Sequence, residues 1–209
     1  MHTAQLRLRG DDGPLSAQLV WPAADATAVM VLLFDAGDPD AAGHAELVCR
    51  SLAQAPGLLS LSAACRRGRE LEDGVRSIEW TADHAEQLGA KGAGLVLAGL
   101  HAGAAVAATL ALRARDDGWP EIAHQLFIHP RFSAAVPRTP ATGLRGVAPA
   151  TVIGGDEGSR AYAVRLRRAG VPVEHLRHGD LREVARRLAE VVSDARTNRS
   201  PTIRERVDR

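Results

Sequence analysis

With 209 residues and 45% hydrophobic content, the chain is long enough to bury one sizeable core. Aromatic residues make up only 3%, so that core has to be built from Ala, Val and Leu. A formal net charge of +1 with 24% charged residues excludes a global electrostatic pull toward nucleic acid or an acidic membrane surface.

Residues 5–9 and 16–21 flank Gly10-Asp-Asp-Gly-Pro14 and read as a hairpin. Residues 28–34 are continuously apolar, as expected of a strand buried on both faces. A helix is expected over 43–54 and a short strand over 57–62. Residues 71–88 form an amphipathic helix with Val75, Ile78, Ala82, Ala85 and Leu88 on one face. A strand over 94–98 leads into a helix over 102–115, and strands follow at 125–129 and 151–153. A helix over 159–169 stops at Gly170, a strand covers 171–176, and a helix over 181–192 closes the fold. Residues 131–146 are the one long internal loop. Two initial strands followed by strand–helix alternation predict an α/β protein, a three-layer αβα sandwich with a mostly parallel central sheet. The domain is expected over 1–194, and the polar, Pro-containing stretch 195–209 reads as a disordered tail.

The passage Leu95-Val-Leu-Ala-Gly-Leu-His-Ala-Gly-Ala104 has the layout of G-x-S-x-G, a tight strand-to-helix turn that holds one side chain exposed above a sheet. The flanking Gly99 and Gly103 suit the close approach of strand and helix backbones. The exposed position carries His101.

Taken with this turn, Leu71-Glu-Asp-Gly-Val-Arg-Ser-Ile-Glu-Trp80, residues 107–118, Gln125-Leu-Phe-Ile-His-Pro130 and residues 161–173 resemble the α/β-hydrolase superfamily, specifically the hormone-sensitive-lipase-like esterases and acetyl hydrolases. The resemblance implies the α/β-hydrolase fold over nearly the whole chain, here with little or no cap domain. It also places the family's catalytic elements. The serine of the family's Gly-Asp-Ser-Ala-Gly-Gly falls on His101, whose imidazole is able to attack an acyl group. The family's catalytic His falls near Arg182, with His178 a few residues earlier. Its Asp segment retains only Asp156-Glu-Gly158, where Asp156 is either an acid or the N-cap of the next helix. Its His-Gly-Gly-Gly becomes Asp35-Ala-Gly-Asp38, which removes oxyanion glycines and adds carboxylates.

Four altered elements give the expectation of a catalytically degenerate member, its Ser-His-Asp triad lost, that binds a small apolar or acyl ligand or a partner. The pocket is expected around Asp35, Ala36, Gly37, Leu100, His101 and Ala102. The alternative is an active hydrolase of a carboxylic ester with rewired chemistry around His101, assisted by Asp35, Asp156 or His178. A third reading is a homodimer built by pairing an edge strand such as 171–176. Asp35, Asp38, His44 and His101 converge above such a sheet, but no local H-x-x-x-H spacing supports a metal, and no motif requires a cofactor. Cys49 and Cys65 have neither metal-ligand spacing nor a disulfide framework. With no basic-then-apolar leader and no apolar run of about 20 residues, the expectation is a cytoplasmic protein outside the membrane.

Overall fold

Eight strands form a single sheet in the order β1-β2-β4-β3-β5-β6-β7-β8. The computed structural model describes residues 2–23, 25–54, 57–90, 92–132, 141–177, 181, 183–188 and 190. The expected tail over 195–209, the helix end at 191–192 and the middle of the long loop (133–140) lie outside these residues. Strands β1 (His2–Gly10) and β2 (Gly13–Trp21) form the antiparallel start, with Asp11 and Asp12 between the paired Gly10 and Gly13. Strand β2 runs antiparallel to β4 (Leu58–Cys65). From there β3 (Ala28–Asp35), β5 (Gly94–Leu100), β6 (Ile122–Ile128), β7 (Ala150–Ile153) and β8 (Val173–Leu176) are all parallel, as strand–helix alternation requires.

The central strands read as unbroken apolar runs because both faces are covered. Along β5, Leu95 and Leu97 join the core under α2 (Glu70–His84), α3 (Gly103–Asp117) and α4 (Glu157–Arg168). Val96, Ala98 and Leu100 join the opposite core under α1 (Ala41–Leu52) and the helical residues 183–188. These two cores make the three layers. The shortage of aromatics shows most in α3. Ala104, Ala107, Ala108, Ala111 and Ala114 are its buried face, and such small side chains let the helix lie close to the sheet.

Several boundaries shift from those expected. Helix α2 ends at His84 rather than Leu88, because the following residues close as a turn in which Ala90 N–H reaches Ala85 O and Gly89 N–H reaches Glu86 O. Strand β4 extends to Cys65 and β5 to Leu100, each carried onward by pairing with β3 or β6. Among its described residues the long loop contains a 3-10 turn, Ala141–Leu144. The helix stop at Gly170 is as expected: φ is +80°, and Gly170 and Val171 cap the carbonyls of Arg167 and Leu166.

The carboxyl ends of β3, β4 and β5 share one rim with the N-terminus of α3, where this architecture binds ligands. A charged network fastens the β1–β2 turn to that rim. Asp73, only 2% exposed, accepts hydrogen bonds from Arg66 N, Nε and Nη2, and Arg66 also reaches Asp12 O. Arg69 pairs with Asp12, and Arg76 with Asp11.

Candidate active site

The strand-to-helix turn has the geometry its sequence predicts. Strand β5 ends at Leu100, His101 takes φ of +50°, and α3 begins at Gly103. A residue with a β-carbon rarely adopts this conformation, and it persists only where surrounding structure enforces it. Here His101 N–H donates to Ile128 O at 3.1 Å, and Arg131 N–H donates to His101 O at 3.0 Å. A β-carbon at Gly99 would overlap the Ala104 backbone, and one at Gly103 would overlap Leu33 O.

The imidazole is largely buried. Asp38 Oδ2 lies 3.5 Å from its Nδ1, an ion-pair distance rather than a formed hydrogen bond, and Nδ1 has no hydrogen-bond partner. The ring of His44, on α1, stands edge-on to it with centroids 5.5 Å apart. Arg131 Nη1 is 3.7 Å from the same Asp38 oxygen. Burial and then the Arg131 charge push the His101 pKa below its usual value, with Asp38 pulling the other way. Asp38 in turn sits below the usual carboxylate range, chiefly because Asp40 N–H donates to it.

The loop from β3 to α1 commits its amides to its own residues and to the end of β4. Ala36 N–H goes to Cys65 O, Gly37 N–H to Asp35 Oδ1, Asp38 N–H to Asp35 O, and Asp40 N–H to Asp38 Oδ1. Asp35 is therefore engaged with its own turn. Asp156, the second candidate assistant, caps α4, its Oδ1 accepting from both Ser159 N–H and Ser159 Oγ–H. His178 and Arg182 lie outside the described residues; β8 ends at Leu176, two positions before His178.

A cleft of about 360 Å³ opens beside the turn. Phe34, Leu71, Ala102, Ala105 and Val106 give it an apolar wall, with Asp35, Glu70 and Arg131 at polar points. Of the six expected pocket residues, Asp35 and Ala102 line this cleft, Ala36 lines a neighbouring, more polar groove with Asp38, and Gly37 and His101 line neither, His101 standing next to the cleft through Ala102. Leu100 is buried in the α1-side core instead, because alternation along β5 points it there. Cys65 also lines the cleft, but burial pushes its thiol to about 12, which removes it as a thiolate nucleophile at neutral pH. Among the described residues no group of three or more His, Cys, Asp or Glu is arranged to hold a metal ion, and no helix is long and apolar enough to cross a membrane. The sequence reading missed Arg131. Its signal was position alone, since it follows the strand adjacent to the turn.

Residues 40–147 match a family model described as alpha/beta hydrolase fold. Over 142 residues the chain is 32% identical to Esterase LipI of Mycobacterium tuberculosis; the match covers 62% of this chain and spans 44% of that protein's length. Among solved structures, an esterase of Pyrobaculum calidifontis aligns with a TM-score of 0.71 at 22% identity, covering 93% of this chain and 85% of the other. Carboxyl esterase 2 of the fungus Tuber melanosporum aligns with a TM-score of 0.76 at 14% identity, covering 91% and 86%. Both establish the likeness of fold.

The expectation of a catalytically degenerate protein that binds a small ligand or a partner is overturned, because the family model and a relative named as an esterase match this chain in sequence. The physical reason lies in the turn. There His101 stands in a strained backbone conformation, flanked by close-packed glycines and next to a cleft.

Proposed function

The chain belongs to the α/β-hydrolase fold family, and on that premise we propose that it hydrolyses carboxylic esters at the turn bearing His101. The observation that carries this reading is an imidazole held at φ of +50° between a strand and a helix, beside an apolar cleft. Holding a reactive group in strained, fixed geometry serves catalysis by avoiding reorganisation during the reaction. A cleft of about 360 Å³ suits a short acyl group. The N-terminus of α3 borders it through Ala102 and Gly103. That helix has no acidic residue in its first turn and no side-chain cap; Ala104 and Ala105 N–H turn back to His101 O and Ala102 O, so the helix dipole rather than those amides would favour a developing oxyanion. The β3–α1 loop contributes carboxylates instead of free amides.

The test is initial-rate hydrolysis of p-nitrophenyl acetate and butyrate by wild type and His101→Ala. Turnover by wild type that falls about a hundredfold or more in the variant supports the proposal. Equal trace rates in both, or none above buffer, reject it.

A further inference from the structure

We infer that Asp38 is the positioning carboxylate for His101 and that the two work as a water-activating base, so that cleavage passes through no acyl-enzyme. This rests on the ester-hydrolysis reading above.

The geometry favours this pairing from both sides. Nδ1 of His101 is buried without a partner, and a proton there has to find an acceptor or bear the cost of being buried unpaired. Asp38 Oδ2 is 3.5 Å away, and catalytic hydrogen bonds are often this long before substrate closes the site. The carboxylate is already aimed, because its other oxygen accepts Asp40 N–H at 3.1 Å. Among the described residues it is Asp38 that pairs with this ring, while Asp156 is committed to Ser159. With Nδ1–H directed at Asp38, the lone pair sits on Nε2.

A neutral imidazole oriented by a carboxylate is the arrangement of a general base. Attack by the ring itself would instead leave an acyl-imidazole and use up the ring nitrogen that otherwise takes a proton from water. In the direct course, Nε2 takes one proton from water as the water oxygen bonds to the ester carbonyl carbon. The carbon–alkoxy bond then breaks, and the proton on Nε2 passes to the departing alkoxide. One water is consumed, and one acid and one alcohol are released. The groups facing His101 are Asp38 from the β3–α1 loop, His44 from α1 and Arg131 from the segment after β6.

The experiment compares pH–rate profiles of wild type, Asp38→Asn and Asp38→Glu on p-nitrophenyl acetate, with stopped-flow traces and hydroxylamine trapping on wild type. Asn keeps the acceptor for Asp40 N–H but carries no charge. The expected result is a kcat lowered about a hundredfold in Asp38→Asn with KM within about twofold, partial recovery in Asp38→Glu, and an unchanged melting temperature. The acid limb of the Asn profile moves to lower pH, since the carboxylate no longer helps His101 hold its proton. Wild type shows no burst. Wild-type kcat and limb position in Asp38→Asn overturn the positioning role. A stoichiometric burst with a trapped acyl-enzyme overturns the water-base course. Absence of any wild-type turnover is a different failure: it rejects the hydrolase reading itself, and this inference with it.

Discussion

Gly103 sits so close to Leu33 that a β-carbon on it would overlap the Leu33 carbonyl oxygen and carbon. The contact joins the first residue of α3 to the strand beside β5, and both partners are backbone, so neither yields as a flexible side chain does. Gly103→Ala is expected to destabilise the protein by about 3 kcal/mol, read as a lowered urea midpoint at unchanged slope. An unaltered midpoint would mean that the turn is looser than its geometry implies.

Asp73 offers a second handle. Burial works to raise its pKa, but the bonds from Arg66 outweigh it and hold the carboxyl below its usual range. A group depressed in the folded state stabilises above its unfolded pKa, and that contribution is lost as pH falls through the folded value. Because Arg66 stays about one-third exposed, the loss in Asp73→Asn is set at about 2 kcal/mol at pH 7, below the range for fully buried pairs. Wild type and variant should converge in stability as pH falls below the carboxylate range. Unfolding curves at pH 7 and pH 3 check this.

His124 also loses its contribution as pH falls, but in a higher pH window. It is buried on β6 with Nε2 3.0 Å from Thr151 Oγ1, and burial pushes its pKa down to about 4. The unfolded chain takes up this proton near pH 6.5 and the folded chain does not, so stability should fall between about pH 6.5 and 4, by roughly 3 kcal/mol at most. His124→Gln preserves a partner for Thr151 and removes the titration. Its stability difference between pH 7 and pH 5 should be smaller than that of wild type, and an equal difference would place the acid sensitivity elsewhere.

The apolar wall makes a prediction about selectivity. Val106 lines the cleft, and Val106→Trp is expected to cut activity on p-nitrophenyl butyrate at least about tenfold more than on the acetate. Equal loss on both substrates would show that the acyl group sits elsewhere.

Asp156→Ala is expected to cost about 1 kcal/mol through loss of the α4 cap and to leave kcat within about twofold. A large fall in kcat would instead make Asp156 the acid that assists His101.

The fold was readable because its signals are local and repeated. Apolar runs such as 28–34, the glycine pair around His101 and the stop at Gly170 each require one backbone solution, and the structure has it. The site was less readable because its contacts are not periodic. Sequence alone brought Asp35, Asp38, His44 and His101 to one rim. Which carboxylate meets His101 depends on Asp35 turning back to Gly37 N–H while Asp38 Oδ2 faces the ring and the Arg131 guanidinium together. Leu100 was misassigned to the pocket because proximity along the chain outweighed the alternation of a strand. The expectation of a degenerate protein came from motif letters alone, whereas backbone strain and cleft shape are encoded by other residues.

The main chain of His101 is stitched three times, its N–H donating to Ile128 O and its carbonyl accepting from the N–H groups of Arg131 and Ala104. The guanidinium that borders the cleft therefore rides on the same bracket as the imidazole. Sequence drift in the segment after β6 would swing charge and ring as a unit, so this short splice is where evolution or engineering would retune the site's electrostatics without dismantling the turn.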